Sequence, residues 1–283
     1  MVWEHPANRG RRGRALVAAA GWQARKRLMK RATDLRVYDG LRFRAYPDST
    51  QPGRFIYFGG FPDFEEMTFM RRYLRPGDGF IDGGANEGMF TLLAAQLVGA
   101  GGEVHAFEAA PAFIDRLREN VEHNGLAQVT IHPEAIGDRG GEVAFVLRGT
   151  GSRIQTATDD GKTVRAKVVT LDEALPRRRW AMGKLDLEGA EPLALAGAHA
   201  LAGEAEPAVW MLELVDKMLA RFGSSEAEVR EWLGDHGYDT VLYEPAGNRL
   251  VPAPNPLWPL ADVLAVHRAK ADEVASRLAG AGV

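Results

Sequence analysis

Apolar positions along this chain follow two rhythms, and the switching between them predicts the fold. Short apolar runs bounded by turn residues predict buried strands over 79–82, 103–107, 128–132 and 209–214. Helix-period runs over 86–98 and 111–123 separate the first three strands. Pro111 suits the first turn of its helix, and Asn124-Gly125 suits its left-handed exit. Strand and helix alternating over short links are the pattern of a parallel, doubly wound α/β sheet. Glu142 to Leu147 and Val164 to Val169 alternate as a long hairpin inserted into that sheet, with a mobile Gly/Ser/Thr-rich tip between Arg148 and Thr163. Tyr238 to Tyr243 and Ala261 to His267 supply the last two strands, the final one antiparallel, and Lys270 to Leu278 a closing polar helix.

Upstream, Leu35, Val37, Leu41, Phe43, Phe55, Ile56 and Tyr57 alternate loosely and predict short strands or a hairpin on the same domain. Asp63 to about Leu74 reads as a helix, with Asp63 and Glu66 spaced as a capping box, and Ser225 to Asp235 carries a second such box between Ser225 and Glu228. The first helix enters the strand at 79 through a short loop, so its start is expected over the site. The expected division is a basic extension over 1–50, part helical, and one domain over 51–283.

Composition narrows the class without selecting a function. The 283 residues are 46% hydrophobic and 26% charged with a net charge of −3, which is ordinary for a globular protein. Cysteine is absent, so thiolate nucleophiles, disulfides and cysteine metal sites are excluded, and a reducing cytoplasm is the expected compartment. Arginine and lysine dominate residues 1–44, with Trp22, Leu28 and Met29 among them. That arm reads either as a solvated tail or as a helix drawn to an anionic membrane or another polyanion. Nucleic acid is not an expected partner.

The candidate chemistry centres on Asp82-Gly83-Gly84-Ala85-Asn86-Glu87-Gly88, between the strand at 79–82 and its helix. Such a turn is expected to aim backbone N–H groups at a ligand above the strand end. It has neither the Lys of a triphosphate loop nor the Gly-x-Gly-x-x-Gly of a pyrophosphate site. Asp82 would repel a pyrophosphate and suit a cation. Glu108 ends the next strand twenty residues after Gly88, the interval at which an acidic side chain grips a ribose. A ribose, a positive charge and no phosphate describe S-adenosylmethionine. Further on, Lys184-Leu185-Asp186-Leu187-Glu188-Gly189-Ala190-Glu191 ends a strand at the sheet's carboxyl edge, where open α/β sheets bind ligands. Asp186 is the first candidate for a general base, with Glu188 and Glu213 beside it, and Lys184 is expected to pair with a carboxylate. Asp186 can equally hold the ammonium of the cofactor, and Glu188 and Glu191 can cap the helix that follows.

These segments resemble the FkbM-type family of S-adenosylmethionine-dependent methyltransferases. The resemblance rests on Ile81 to Gly88, Ala106 to Pro111, Glu119-Asn120 with Asn124, Ala135-Ile136-Gly137-Asp138, Thr170 to Glu173 and Lys184 to Glu191, in the family's order over about residues 55 to 267. Gly83 stands where the family usually has a bulkier aliphatic, and Ala109-Ala110-Pro111 replaces its more usual Pro-Asn-Pro. The resemblance implies a Rossmann-like class I fold and methyl transfer to a hydroxyl on a sugar, glycan or secondary metabolite. The expected cofactor site is Asp82, Gly83, Gly84, Ala85, Asn86, Glu87, Gly88, Thr91, Glu108, Ala109, Ala135, Ile136 and Asp186, with catalysis by Asp186, Glu188 and Glu213; no metal is expected, Mg²⁺ on those three carboxylates being the lesser alternative. A nicotinamide-dependent oxidoreductase and a non-catalytic module on the same fold are the alternatives.

Overall fold

The structure is a computed structural model and describes residues 2–28, 31–49, 51–58, 61–148, 151–154, 163–257 and 262–280. The main sheet holds strands β3 (Gly79–Gly83), β4 (Glu103–Phe107), β5 (Val129–His132), β10 (Met182–Leu185), β11 (Val209–Glu213), β12 (Tyr238–Glu244), β13 (Arg249–Pro252) and β14 (Asp262–His267). Their spatial order is β13-β12-β14-β11-β10-β3-β4-β5. β5, β4, β3, β10 and β11 run parallel, while β14 lies antiparallel between β11 and β12. This is the expected doubly wound sheet with an antiparallel last strand; β13 is an added edge strand that the sequence pattern did not predict.

Alternation along each strand feeds two apolar layers. Phe80, Met182, Val209 and Met211 face helices α3 (Phe64–Tyr73), α4 (Met89–Val98) and α11 (Ala271–Ala279). Ile81, Leu185, Trp210 and Leu212 face the opposite layer, with α6 (Leu171–Ala174), α7 (Glu191–Ala196), α8 (His199–Gly203), α9 (Asp216–Leu219) and α10 (Glu226–Asp235). Helix α5 (Pro111–His123) packs Leu117 and Val121 against Ala85 and Ala106. The inserted hairpin is present as β7 (Gly141–Arg148) and β9 (Thr163–Val169), joined by β6 (Ala135–Ile136) and β8 (Gly151–Ile154) into a second sheet. Of the tip expected between Arg148 and Thr163, residues 149–150 and 155–162 lie outside the described residues, and Gly151–Ile154 is not loop but strand β8, paired with the end of β7.

The N-terminal segment is built onto the domain. Helix α1 (Arg12–Leu28) buries Ala15 and Trp22 and lies on α2 (Gln51–Tyr57), where Gly53 admits the Trp22 ring. The antiparallel pair β1 (Thr33–Val37) and β2 (Leu41–Ala45) docks on α5: Arg44 N donates to Asn120 Oδ1 at 2.7 Å and Arg42 N to Asn124 Oδ1 at 2.8 Å. Phe55-Ile56-Tyr57 is helical in α2, not a strand, because a three-residue apolar run has too little period to choose and docking under α1 decides it. The Asp63 capping box does not form either: Asp63 pairs with Arg54 and leaves the helix N–H groups alone. At Ser225 the N-cap half of the box forms, with Glu228 N donating to Ser225 Oγ at 3.3 Å. The closing helix is polar on one side only, since Val274 and Leu278 are buried.

Candidate active site

After β3 the chain turns through left-handed backbone at Gly84 (φ 82°), Asn86 (φ 53°) and Gly88 (φ 96°), so α4 starts at Met89 and not at 86. A Cβ on Gly84 would strike the carbonyl oxygen of Asp186, so glycine lets the two strand ends close up. The turn's N–H groups do not point at a ligand, contrary to the expectation from sequence. Gly84 N and Ala85 N donate to Phe107 O at 3.0 and 2.9 Å, Asn86 N to Glu108 Oε2 at 2.9 Å, Glu87 N to Asn86 Oδ1 at 2.8 Å and Gly88 N to Ala85 O at 2.8 Å. Every amide from 84 to 88 is bonded within the protein. The turn is therefore a brace between two carboxylates and offers no cradle for a phosphate.

Those carboxylates are Asp82 and Glu108. Asp82 is buried, and its Oδ2 accepts from Thr91 Oγ1 at 2.5 Å while its Oδ1 has no partner. Burial raises its pKa, and the nearby Lys184 opposes that. Glu108 is pushed up to about 7, mainly by burial, against backbone N–H bonds from Ala110 and Asn86. Its Oε1 and Oε2 each accept one backbone N–H, and a carboxylate has about four acceptor sites, so two remain for a ligand. Lys184 is buried and donates to Asp186 Oδ2 at 2.9 Å with its ammonium 4.7 Å from the Phe90 ring centre. Burial lowers its pKa, but Asp186 and Asp82 outweigh that and raise it to about 12. Among the described residues its one hydrogen-bonded carboxylate is Asp186, and Asp82 acts on it through charge alone.

One cleft, with roughly 1200 Å³ of empty space partly open to solvent, gathers these groups at the carboxyl edge of the sheet. Asp82, Gly84, Ala85, Asn86, Glu87, Glu108, Ala109, Ala135, Ile136, Asp186 and Glu188 line it. Gly83 and Thr91 sit behind this wall: Gly83 is a fully buried strand residue packed on Ile136, and Thr91 holds Asp82. Gly88 has no room for a Cβ against Leu117 and acts on the backbone alone. The Glu87 carboxylate is taken by Ser49 Oγ and, at 2.6 Å, by Arg116 Nη1, so it ties the turn to the N-terminal segment. Glu213 lies outside the lining, one strand over from Asp186 and registered with Asp262. Burial first, then Asp186 and Asp262, push it up to about 8. Glu191 accepts from Leu187 N at 2.6 Å and Gly189 N at 3.3 Å, holding the turn that presents Glu188, itself in left-handed backbone (φ 56°).

Sequence reasoning missed Ser49, Gln51 and Arg54, which close one side of the cleft, and Met89, Phe90 and Glu134. Asp63 does line it, at the start of the helix expected to lie over the site. His105 and His132 face each other, Nε2 of His132 2.9 Å from Nδ1 of His105, and stack with Phe107 beside it as structural packing. Among the described residues no group of three His, Asp or Glu is arranged to hold a metal ion, and no helix is long and apolar enough to cross a membrane.

The model of the methyltransferase FkbM domain matches residues 82–240, from Asp82 in the turn through Thr240, more than half of the chain. The chain belongs to the FkbM methyltransferase family. Within that family it is 29% identical over 175 residues to the 31-O-demethyl-FK506 methyltransferase FkbM of Streptomyces tacrolimicus. The match takes in 48% of this chain and 66% of that protein, just under two thirds of the relative's length. Among solved structures, an FkbM methyltransferase of Methylobacillus flagellatus KT is 15% identical at a TM-score of 0.44, covering 90% of this chain and 59% of that one. A SAM-dependent O-methyltransferase of Thermotoga maritima is 16% identical at 0.42, covering 73% and 65%. The FkbM domain thus contains both carboxylate clusters of the cleft, while Ser49, Gln51, Arg54 and Asp63 come from outside it.

Proposed function

We propose that this FkbM-family protein transfers a methyl group from S-adenosylmethionine to a hydroxyl oxygen of a sugar, glycan or secondary metabolite. The observation that carries the reading is the polarity of the cleft. Seven carboxylates and two cations line it, one buried carboxylate oxygen lacks a partner, and the amides of its glycine-rich turn are all occupied. Such a site favours a ligand with positive charge and hydroxyl donors and disfavours the pyrophosphate of a nicotinamide cofactor. S-adenosylmethionine fits these residues. Glu108 has acceptor sites left for two ribose hydroxyls, Asp82 and Asp186 suit an ammonium, and Ala109, Ala135 and Ile136 give an apolar wall for a base.

When bound, the cofactor supplies an electrophilic methyl group on a positively charged sulfur. The chain's own part is alignment and proton removal. In-line placement of a hydroxyl by the walls from Ser49, Arg54 and Asp63 makes displacement effectively unimolecular. Asp186, held by Lys184 Nζ at 2.9 Å, accepts the hydroxyl proton. The test is methyl-labelled S-adenosylmethionine with a panel of polyol, glycoside and amine acceptors. Label on hydroxyl oxygen supports the reading; transfer to amines alone, or to no acceptor while cofactor binds, overturns it.

A further inference from the structure

Helix α1 turns the wrong face outward for a helix that ends in water. Ala15 and Trp22 are buried and Ala19 and Lys26 half-buried, which is one stripe at helical spacing against α2. The opposite face should be polar, but Gly13, Val17, Ala20, Ala24 and Leu28 occupy it and all are exposed. Val17 is 74% and Leu28 81% exposed, with Leu16 at 45% and Trp3 at 51% nearby in the sequence. Arginines flank this apolar ridge on both sides: Arg12 and Arg27 on one, Arg14 and Arg25 on the other, all exposed. From Arg9 to Arg31 the sequence carries nine Lys and Arg and no carboxylate, although the whole chain is acidic.

We propose that the outward face of α1 docks the protein on a bilayer surface rich in anionic lipid. An apolar ridge a few residues wide reaches the level of the acyl chains, and cations at its margins meet the headgroup phosphates. A purely electrostatic partner would have no use for exposed Val17 and Leu28, which is why a lipid surface fits better than a soluble polyanion. Docking need not disturb the site: Trp22 and the Lys26 Nζ bond to Ser49 O, at 2.8 Å, keep the inner face of α1 on the domain.

The experiment is co-sedimentation of the full chain with vesicles of phosphatidylcholine alone and of equimolar phosphatidylcholine and phosphatidylglycerol, at low and high salt. Binding is expected to the anionic vesicles only and to weaken with salt. Arg14→Gln and Arg27→Gln should each lower partitioning by about fivefold. Val17→Asp/Leu28→Asp should lower it by roughly tenfold or more, with the thermal midpoint unchanged. Absence of binding to anionic vesicles at low salt overturns the proposal. So does undiminished vesicle binding by Val17→Asp/Leu28→Asp, which would assign the arm to a polyanion such as heparin. A wild-type dimer that becomes monomeric in that variant, without vesicle binding, would assign the face to a second copy and also overturn it.

Discussion

The two ends of the central sheet are both crowded with charge, yet they are built on opposite rules. At the amino edge, Asp78, Glu103, Glu206 and Glu273 face Arg178, Arg179, Lys270 and Arg277, four anions against four cations. The pairs are closed: Arg277 meets Asp78 at 2.5 Å and Glu273 at 3.1 Å, Arg178 meets Glu103, and Lys270 meets Glu206 at 3.6 Å. Burial pushes Glu103 up, but its bonds from His105 and Arg178 outweigh that and leave it below the usual range. At the carboxyl edge seven carboxylates meet two cations, and burial raises Asp82, Glu108 and Glu213. Balanced charge ties strand ends together; unbalanced charge held by a rigid brace is stored interaction energy for a ligand.

The sharpest way to break this contrast is at Asp186. Asp186→Asn keeps the shape and the bond to Lys184 but removes a charge. If Asp186 takes the acceptor's proton, single-turnover methyl transfer should fall by about 10²–10⁴ with cofactor affinity almost unchanged. If it holds the ammonium, affinity should fall as well; wild-type values for both would exclude it from either role.

Next in size is Glu108. Glu108→Ala should weaken S-adenosylhomocysteine binding by roughly 1.5–3 kcal/mol, the scale of hydrogen bonds to a charged group. Unchanged affinity in calorimetry would put the ribose elsewhere.

The same residue predicts two pH slopes of opposite sign. Its folded pKa of about 7 lies above the ordinary carboxylate value, so the ligand-free fold binds this proton more tightly than the unfolded chain. Its contribution to stability is therefore full at acid pH and is lost as pH rises toward about 7. Ligand affinity should run the other way, gaining up to about tenfold per pH unit below that point as the carboxylate forms. Glu108→Gln should flatten the affinity slope; parallel slopes in the wild type would contradict the assignment.

The smallest effect is expected at the balanced end. Arg277→Met should cost about 1–2 kcal/mol, because the pair with Asp78 is only partly screened, and lower the midpoint of unfolding by about 2–6 °C. Affinity for S-adenosylhomocysteine should not move. A loss of affinity there would mean the two edges are coupled.

What the sequence revealed and what it concealed follow from how local each feature is. The alternation of strands and helices and the arrival of Asp82, Glu108 and Asp186 at one cleft follow from apolar period, short links and parallel pairing, which neighbouring residues encode. The state of the turn's amides does not, since the acceptors of Gly84, Ala85 and Asn86, Phe107 O and the Glu108 carboxylate, come from the end of another strand, and the same glycine pattern serves either as an anion cradle or as a brace. Ser49, Gln51 and Arg54 reach the cleft because α1 and the β1–β2 pair carry them there, and nothing in their own spacing announces it. Asp63 has the spacing of a cap, and only the presence of Arg54 beside it explains why it is one of the cleft's carboxylates instead.

Calorimetric titration of the full chain with S-adenosylmethionine, S-adenosylhomocysteine and NAD tests the central claim directly. An acidic cleft whose turn amides are all occupied should bind the first two and give no heat of binding with NAD. Binding of NAD at an affinity equal to theirs, or no binding of either sulfur compound, would contradict the account.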